Sequence, residues 1–178
     1  MKRGQFWYND FAIAFSVLAI IGVLFTIAMI DVSTREKGNQ DLFGEAISIG
    51  NSLTGSGIDP EGWEEVKGNI GLVDNSKVNL TKLFYFHKNS LTTDSYRNRI
   101  KVLLGVKYDF VFYFEDKFGN RITDFYYDFG EGYFGYPSFI GVENLDSKNV
   151  IKFTRFVFLD SDLIGKGDIV KLVVVSWD

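Results

Sequence analysis

Residues 11–30 read FAIAFSVLAIIGVLFTIAMI, twenty positions without a charge. At about 1.5 Å rise per residue, a helix of this length spans about 30 Å, the hydrocarbon thickness of a bilayer. Ser16, Gly22 and Thr26 are small or hydroxyl residues that membrane helices tolerate. A core helix of a water-soluble domain shows a polar face, and this stretch has none. The reading is one membrane-spanning or membrane-inserted helix, with membrane lipid as its first partner.

On the N-terminal side, Lys2 and Arg3 are the strong positive charges. They favour a cytoplasmic N-terminus, which places residues 31–178 outside the cytoplasm. Trp7 and Tyr8 suit the interface. A cleaved secretory signal fits poorly, because the apolar run is long and Met29-Ile30-Asp31-Val32 offers no small-x-small exit. The division is a basic leader and interfacial segment at 1–10, a transmembrane helix at 11–30, a helix extension at 31–57 and an extracytoplasmic α+β domain at 58–178.

Beyond Ile30 the helical pattern continues. From Asp41 to Leu53 the apolar residues fall on one face. Gly38-Asn39 interrupts the pattern and is expected to bend or melt the helix. Gly55-Ser56-Gly57, with Asp59-Pro60 behind it, ends the helix. Trp63 is expected to plug a gap between the long helix and what packs on it. Residues 82–87 read as a short helix or turn. Thr92 or Thr93 caps a further helix with the stripe Tyr96, Ile100, Leu103 and Leu104, and Gly105 suits the left-handed position after it. Period-two alternation then predicts a strand over VKYDFVFYF, with Phe110, Phe112 and Phe114 on its helix-facing side. RITDFYYDF reads as its return strand. NVIKFTRFVFL and DIVKLVVVSW form a hairpin. The predicted fold is α+β: a long N-terminal helix, short helices and a mainly antiparallel four-stranded sheet.

Composition narrows the function. The net charge is −4, and beyond residue 30 there are 17 basic and 22 acidic residues, a balance of −5. That argues against nucleic acid, which needs a clustered positive surface. There is no cysteine, so neither disulfides nor thiolate metal sites exist. His87 is the single histidine and reads as a lone surface residue, with no nucleophile or acid beside it. DSDLIG at 160–165 echoes the start of a calcium loop through Asp160 and Asp162. Ile164 stands where a third ligand belongs, so a polar hairpin turn is the better reading. Glu61, Glu64 and Glu65 read as a solvated turn. Tyr126, Tyr127, Tyr133, Phe134 and Tyr136 either form an exposed adhesive surface or fold onto the sheet. Asn79-Leu80-Thr81 is an N-glycosylation sequon, or simply places an Asn near a helix start. No catalytic set, cofactor motif or metal site emerges, and no enzyme is expected.

A basic-Gly-Gln start, an apolar helix and a C-terminal β-rich domain together resemble archaeal type IV pilin-like proteins. The likeness extends to TGSGIDPEGWEEVKGNIGLVDNSKVNLTKL, to YRNRIKVLLGVKYDFVFYFED and to a last strand ending in Trp177. The resemblance implies cleavage by a prepilin peptidase after Gly4, leaving Gln5 as the new N-terminus. It also implies pilus assembly machinery and packing of the helix among identical or related pilin-like subunits, where Gly22 allows close approach. The acid expected at the fifth mature place is not there. Asn9 occupies it and Asp10 follows. Asp10 either neutralises a neighbouring chain's terminal amine or sits in the headgroup region. The functional expectation is a pilin-like structural subunit of a surface filament or envelope assembly. The alternative is a membrane-anchored binding module, an adhesin or sensor, that never polymerises.

Overall fold

The structure, a computed structural model, describes residues 3–63, 70–125, 129–136, 142, 145–147, 149–160 and 167–178; the side chains of residues 3–7 and 9 are not among them. The chain forms two compact units, Met1–Asp41 and Leu42–Asp178.

Helix α1 runs from Arg3 to Thr54. Helical hydrogen bonding continues through Gly38-Asn39, so the chain does not melt there. A single Gly costs a helix only about 1 kcal/mol relative to Ala, too little to interrupt one this long. Within the first unit the described side chains from Phe11 to Ile30 are exposed on every side. Their hydroxyls are satisfied inside the helix: Ser16 donates to the Ala12 carbonyl, and Thr26 to that of Gly22, each at 2.8 Å.

In the second unit α1 becomes one-sided. Leu42, Ala46, Ile49 and Leu53 are each at most 1% exposed. Their spacing of four, three and four residues makes a single stripe. Near Pro60–Gly62, a short 3-10 turn, the chain reverses. A small hairpin follows, β1 (Val73–Asp74) and β2 (Lys77–Val78), turned by Asn75 and Ser76 at φ 50° and 66°. Helix α2 (Leu80–Ser90) packs Leu83 and Phe86 inward. Then α3 (Thr93–Ser95), a π-helical turn (Tyr96–Lys101) and α4 (Val102–Leu104) form one helical stretch. Thr92 caps it through the Ser95 amide, and Gly105 ends it at φ +68°. Both match the sequence expectation, because caps and left-handed ends are set by local chemistry.

The strands are β3 (Asp109–Glu115), β4 (Phe134–Gly135), β5 (Val150–Leu159) and β6 (Asp168–Trp177). Among the described residues they join β1 and β2 in a mixed six-stranded sheet of order β1-β2-β5-β6-β3-β4. This replaces the expected four-stranded antiparallel sheet. The β5–β6 hairpin is present as read, from Val150↔Trp177 to Leu159↔Asp168. The expected return strand after β3, RITDFYYDF, is not formed by its described residues, 121–125 and 129, where an isolated bridge, Glu115↔Arg121, stands. The place beside β3 is taken by β4, through Val111↔Gly135 and Phe112↔Phe134. Phe125 instead points into a cluster with Phe114, Phe129 and Phe134. Tyr126 and Tyr127 lie outside the described residues. At the other edge β2 adds a parallel pair, Lys77↔Phe158, which no alternation pattern announces.

The main core lies between the helices and one face of the sheet, where Phe110, Phe112 and Phe114 meet Phe86, Tyr96 and Ile100. The other face is buried too. Val111, Tyr113, Val173, Val175 and Trp177 lie under Tyr133, Tyr136, Val142 and Leu145. Covering on both faces explains why β6 is buried continuously from Leu172 to Trp177.

Two glycines separate tight from loose places. A methyl group at Gly71 would collide with backbone atoms of Gly55 and Gly57, whereas one at Gly44 would meet nothing. Gly71→Ala is expected to destabilise the protein by about 3 kcal/mol or to prevent folding. Gly44→Ala is expected to stabilise it by about 1 kcal/mol, since Ala suits a helix interior. Thermal denaturation of the two detergent-solubilised variants tests both.

Candidate functional site

The described residues contain one helix long and apolar enough to cross a membrane, and none of its apolar window is buried. Phe11 is 69% exposed, Leu18 66% and Ile30 61%. Gly22 sits mid-helix, and a methyl group there would meet no atom of this chain. Nothing within the chain therefore requires glycine at that position. Asp10 is exposed near the helix start. Gly4 and Gln5 fall in the first turns of α1, and their side chains lie outside the described set.

Asn79 has a structural task. It is the N-cap of α2, its Oδ1 accepting from the Lys82 amide at 3.1 Å. Its Nδ2, the atom a glycan would use, donates to Asp74 Oδ2 at 2.8 Å. Asp74 Oδ1 in turn accepts from Lys82 Nζ at 2.8 Å, and Lys82 also donates to the Gly57 carbonyl at 2.7 Å. Lys82 is 3% exposed, so this ammonium survives burial because two oxygens receive it. The hydrogen bond from Lys82 holds the Asp74 carboxyl below its ordinary value, with Asn79 adding to the effect and desolvation opposing it. The cluster ties the chain after α1 to the β1–β2 hairpin and to α2.

The remaining sequence candidates are dispersed. His87 is half-buried, not a bare surface residue. Its ring packs against Phe129 and Phe134 at centroid distances of 5.3 and 5.7 Å. No pattern around His87 announces this packing, since both partners are more than forty positions away. Asp160 pairs with Lys77 Nζ at 2.9 Å, and residues 161–166, including Asp162 and Ile164, lie outside the described residues. Glu64 and Glu65 do so too. Of the aromatic loop, Phe134 is buried, Tyr133 packs on Tyr113, and Tyr136 lies between Tyr96 and Trp177. Trp63 is 2% exposed and sits edge-on to Phe86, as a gap-filling residue would. No group of three or more metal-ligating side chains occurs among the described residues.

One exposed surface stands out at the far end of the β5–β6 hairpin. Phe156 and Ile169, 72% and 62% exposed, line a trough of about 450 Å³ with Phe158, Lys77 and the Asn75-Ser76 turn. The alternation of β5 does not distinguish these residues from core positions.

The chain matches no known protein family, no curated protein and no solved structure.

Asp74 is the titrating member of the cluster. Its carboxylate contributes stability above the ordinary aspartate value of 3.8, and that contribution is lost as the pH falls through its lowered folded value. Acid denaturation followed between pH 2 and 6 is expected to be steeper for the wild type than for Asp74→Asn. Asn79→Ala removes the cap and is expected to cost about 1 kcal/mol at neutral pH, measured on protein made without glycosylation.

Proposed function

We propose that this protein is a pilin-like structural subunit of a membrane-derived surface filament or envelope assembly. The observation that carries the reading is the character of residues 11–30. This is a helical segment with no polar side, its hydroxyls bonded within the helix, exposed all round. Such a surface is stable in lipid or against similar helices. Gly22, which no neighbour in this chain requires, fits close approach of a second helix. Lys2 and Arg3 set the N-terminus on the cytoplasmic side, so the α+β unit faces outward. Prepilin processing after Gly4 exposes Gln5. Asp10 then receives the terminal amine of a neighbour.

Mass spectrometry of the protein taken from native membranes tests this directly. The expected mature chain begins at Gln5, and Gly4→Leu is expected to abolish processing. A mature membrane protein that keeps Lys2 and Arg3 removes the filament reading. It leaves a single-pass anchored binding module instead. Sheared surface fractions are expected to contain the processed form.

A further inference from the structure

A sheet edge without a neighbour offers its backbone to another chain. The edges made by β1 and β4 are each two residues long. β5 is different. It runs for ten residues, and all of them pair with β6 on one side. On the other side β2 meets it only at Lys77↔Phe158, because the chain turns back at Asn75 and Ser76. From Val150 to Phe156 no described residue pairs with that side.

The register fixes which groups face outward. The Phe110 amide and carbonyl bond to the Tyr96 hydroxyl and the Tyr136 amide, away from β6. Strand residues alternate in the side to which they turn their polar groups. Asp109, Val111, Tyr113 and Glu115 therefore bond to Trp177, Val175, Val173 and Lys171 of β6. Ser176, Val174 and Leu172 are left to bond to Ile151, Phe153 and Arg155 of β5. Val150, Lys152, Thr154 and Phe156 then turn their amides and carbonyls out of the sheet, and no hydrogen bond from a described residue reaches those groups. The usual guards are missing. β5 has no proline and pairs with β6 without a bulge. Lys152, a residue type that blunts sheet edges, is drawn across β6 to Glu115 at 2.8 Å. Val150 and Phe156 are 42% and 72% exposed.

We infer that this edge pairs with the same edge of a second copy of the chain, antiparallel, about a two-fold axis at Phe153. The strand is complementary to itself in that register. Val150 meets the second copy's Phe156, and Lys152 meets its Thr154. Every open amide and carbonyl from Val150 to Phe156 gains a partner. The two exposed apolar side chains cover each other, and no like charges stand opposite. The neighbouring registers that match outward-facing residues fail. One centred on Lys152 sets that ammonium against itself. One centred on Thr154 sets Val150 against Phe158, whose outer side β2 already holds. The axis is normal to the sheet, so residues 42–54 of α1, which lie along the sheet face, run in opposite directions in the two copies. The contact is thus separate from the parallel helix packing of the proposed assembly and does not rest on it.

The chain has no cysteine, so introduced thiols report the pairing cleanly. The test is mild oxidation of full-length protein in detergent, with dimer measured on non-reducing gels. Phe153→Cys sets a thiol opposite itself in a non-hydrogen-bonded pair, at a Cα separation of about 4.5 Å that a disulfide spans, and is expected to cross-link. Ile151→Cys and Arg155→Cys are each expected to stay monomeric alone and to cross-link when mixed, because the register sets 151 against 155. That mixture keeps the test independent of how well Phe153→Cys folds. Thr154→Pro removes an outward amide that β6 does not use. Added to both members of the mixture, it is expected to leave the melting temperature unchanged and to cut cross-linking at least about tenfold. The inference is overturned if the mixture forms no more dimer than either variant alone, or if Thr154→Pro leaves its yield unchanged.

Discussion

The α+β unit rests on one packing constraint: residues 42–54 of α1 close a face of the sheet. Leu42, Ala46, Ile49 and Leu53 are almost completely buried. A fully buried Leu or Ile contributes about 1.5–3 kcal/mol. Apolar burial alone does not fix a helix in rotation or along its axis, so polar contacts set the register. Glu45 Oε2 accepts from the Lys107 and Tyr108 amides at 3.0 and 3.1 Å, just before β3. The Leu53 carbonyl accepts from the Leu72 amide at 2.9 Å. Arg155 on β5 donates to Asn51. Gly50 leaves room for the ring of Phe153, which a methyl group there would strike. The contacts come from the segment before β3, from the chain before β1 and from β5, so together they leave the helix one position.

The same logic of supplying a partner to every polar group recurs at the sheet edge. β3 is covered by β4 for only two residues, and its Phe110 would otherwise be left with unpaired backbone groups in the core. The Tyr96 hydroxyl accepts from the Phe110 amide at 2.9 Å, and the Tyr136 amide donates to the Phe110 carbonyl at 3.0 Å. Burial pushes the Tyr96 phenol well above its ordinary range, so it stays a neutral donor and acceptor. A side chain thus takes the place of a strand residue. The buried Lys82 works similarly, supplying a cation between a carboxylate and a loop carbonyl.

What could be read from the sequence follows the range of the interaction. Helix α1, the Thr92 cap, Gly105 and the β5–β6 hairpin are legible because their signals lie within a few residues. The β1–β2 hairpin escapes because two-residue strands carry no period, and its turn uses Asn75-Ser76, not the usual Asn-Gly. RITDFYYDF alternates like a strand, yet its Phe125 and Phe129 are drawn into a cluster with Phe114 and Phe134. A run of aromatics satisfies an alternation rule and an irregular core equally well.

Solvation decides what the first unit is for. Of the 24 large hydrophobic side chains that are exposed among the described residues, 15 fall between Tyr8 and Val32. The other nine are spread over more than a hundred positions, with Phe156 and Ile169 sharing the trough beside the β5–β6 hairpin, and exposed apolar residues in such number are ordinary in a folded domain. A continuous apolar cylinder is a different matter, because monomers in water rarely tolerate patches beyond a few hundred Å². Its backbone is satisfied by helical hydrogen bonds and its few hydroxyls bond to carbonyls four residues back, so transfer into hydrocarbon leaves no polar group unpaired. Water is the one solvent in which this segment pays a penalty. Lipid and neighbouring helices remain as its surroundings, and at Gly22 nothing in this chain stands in the way of either.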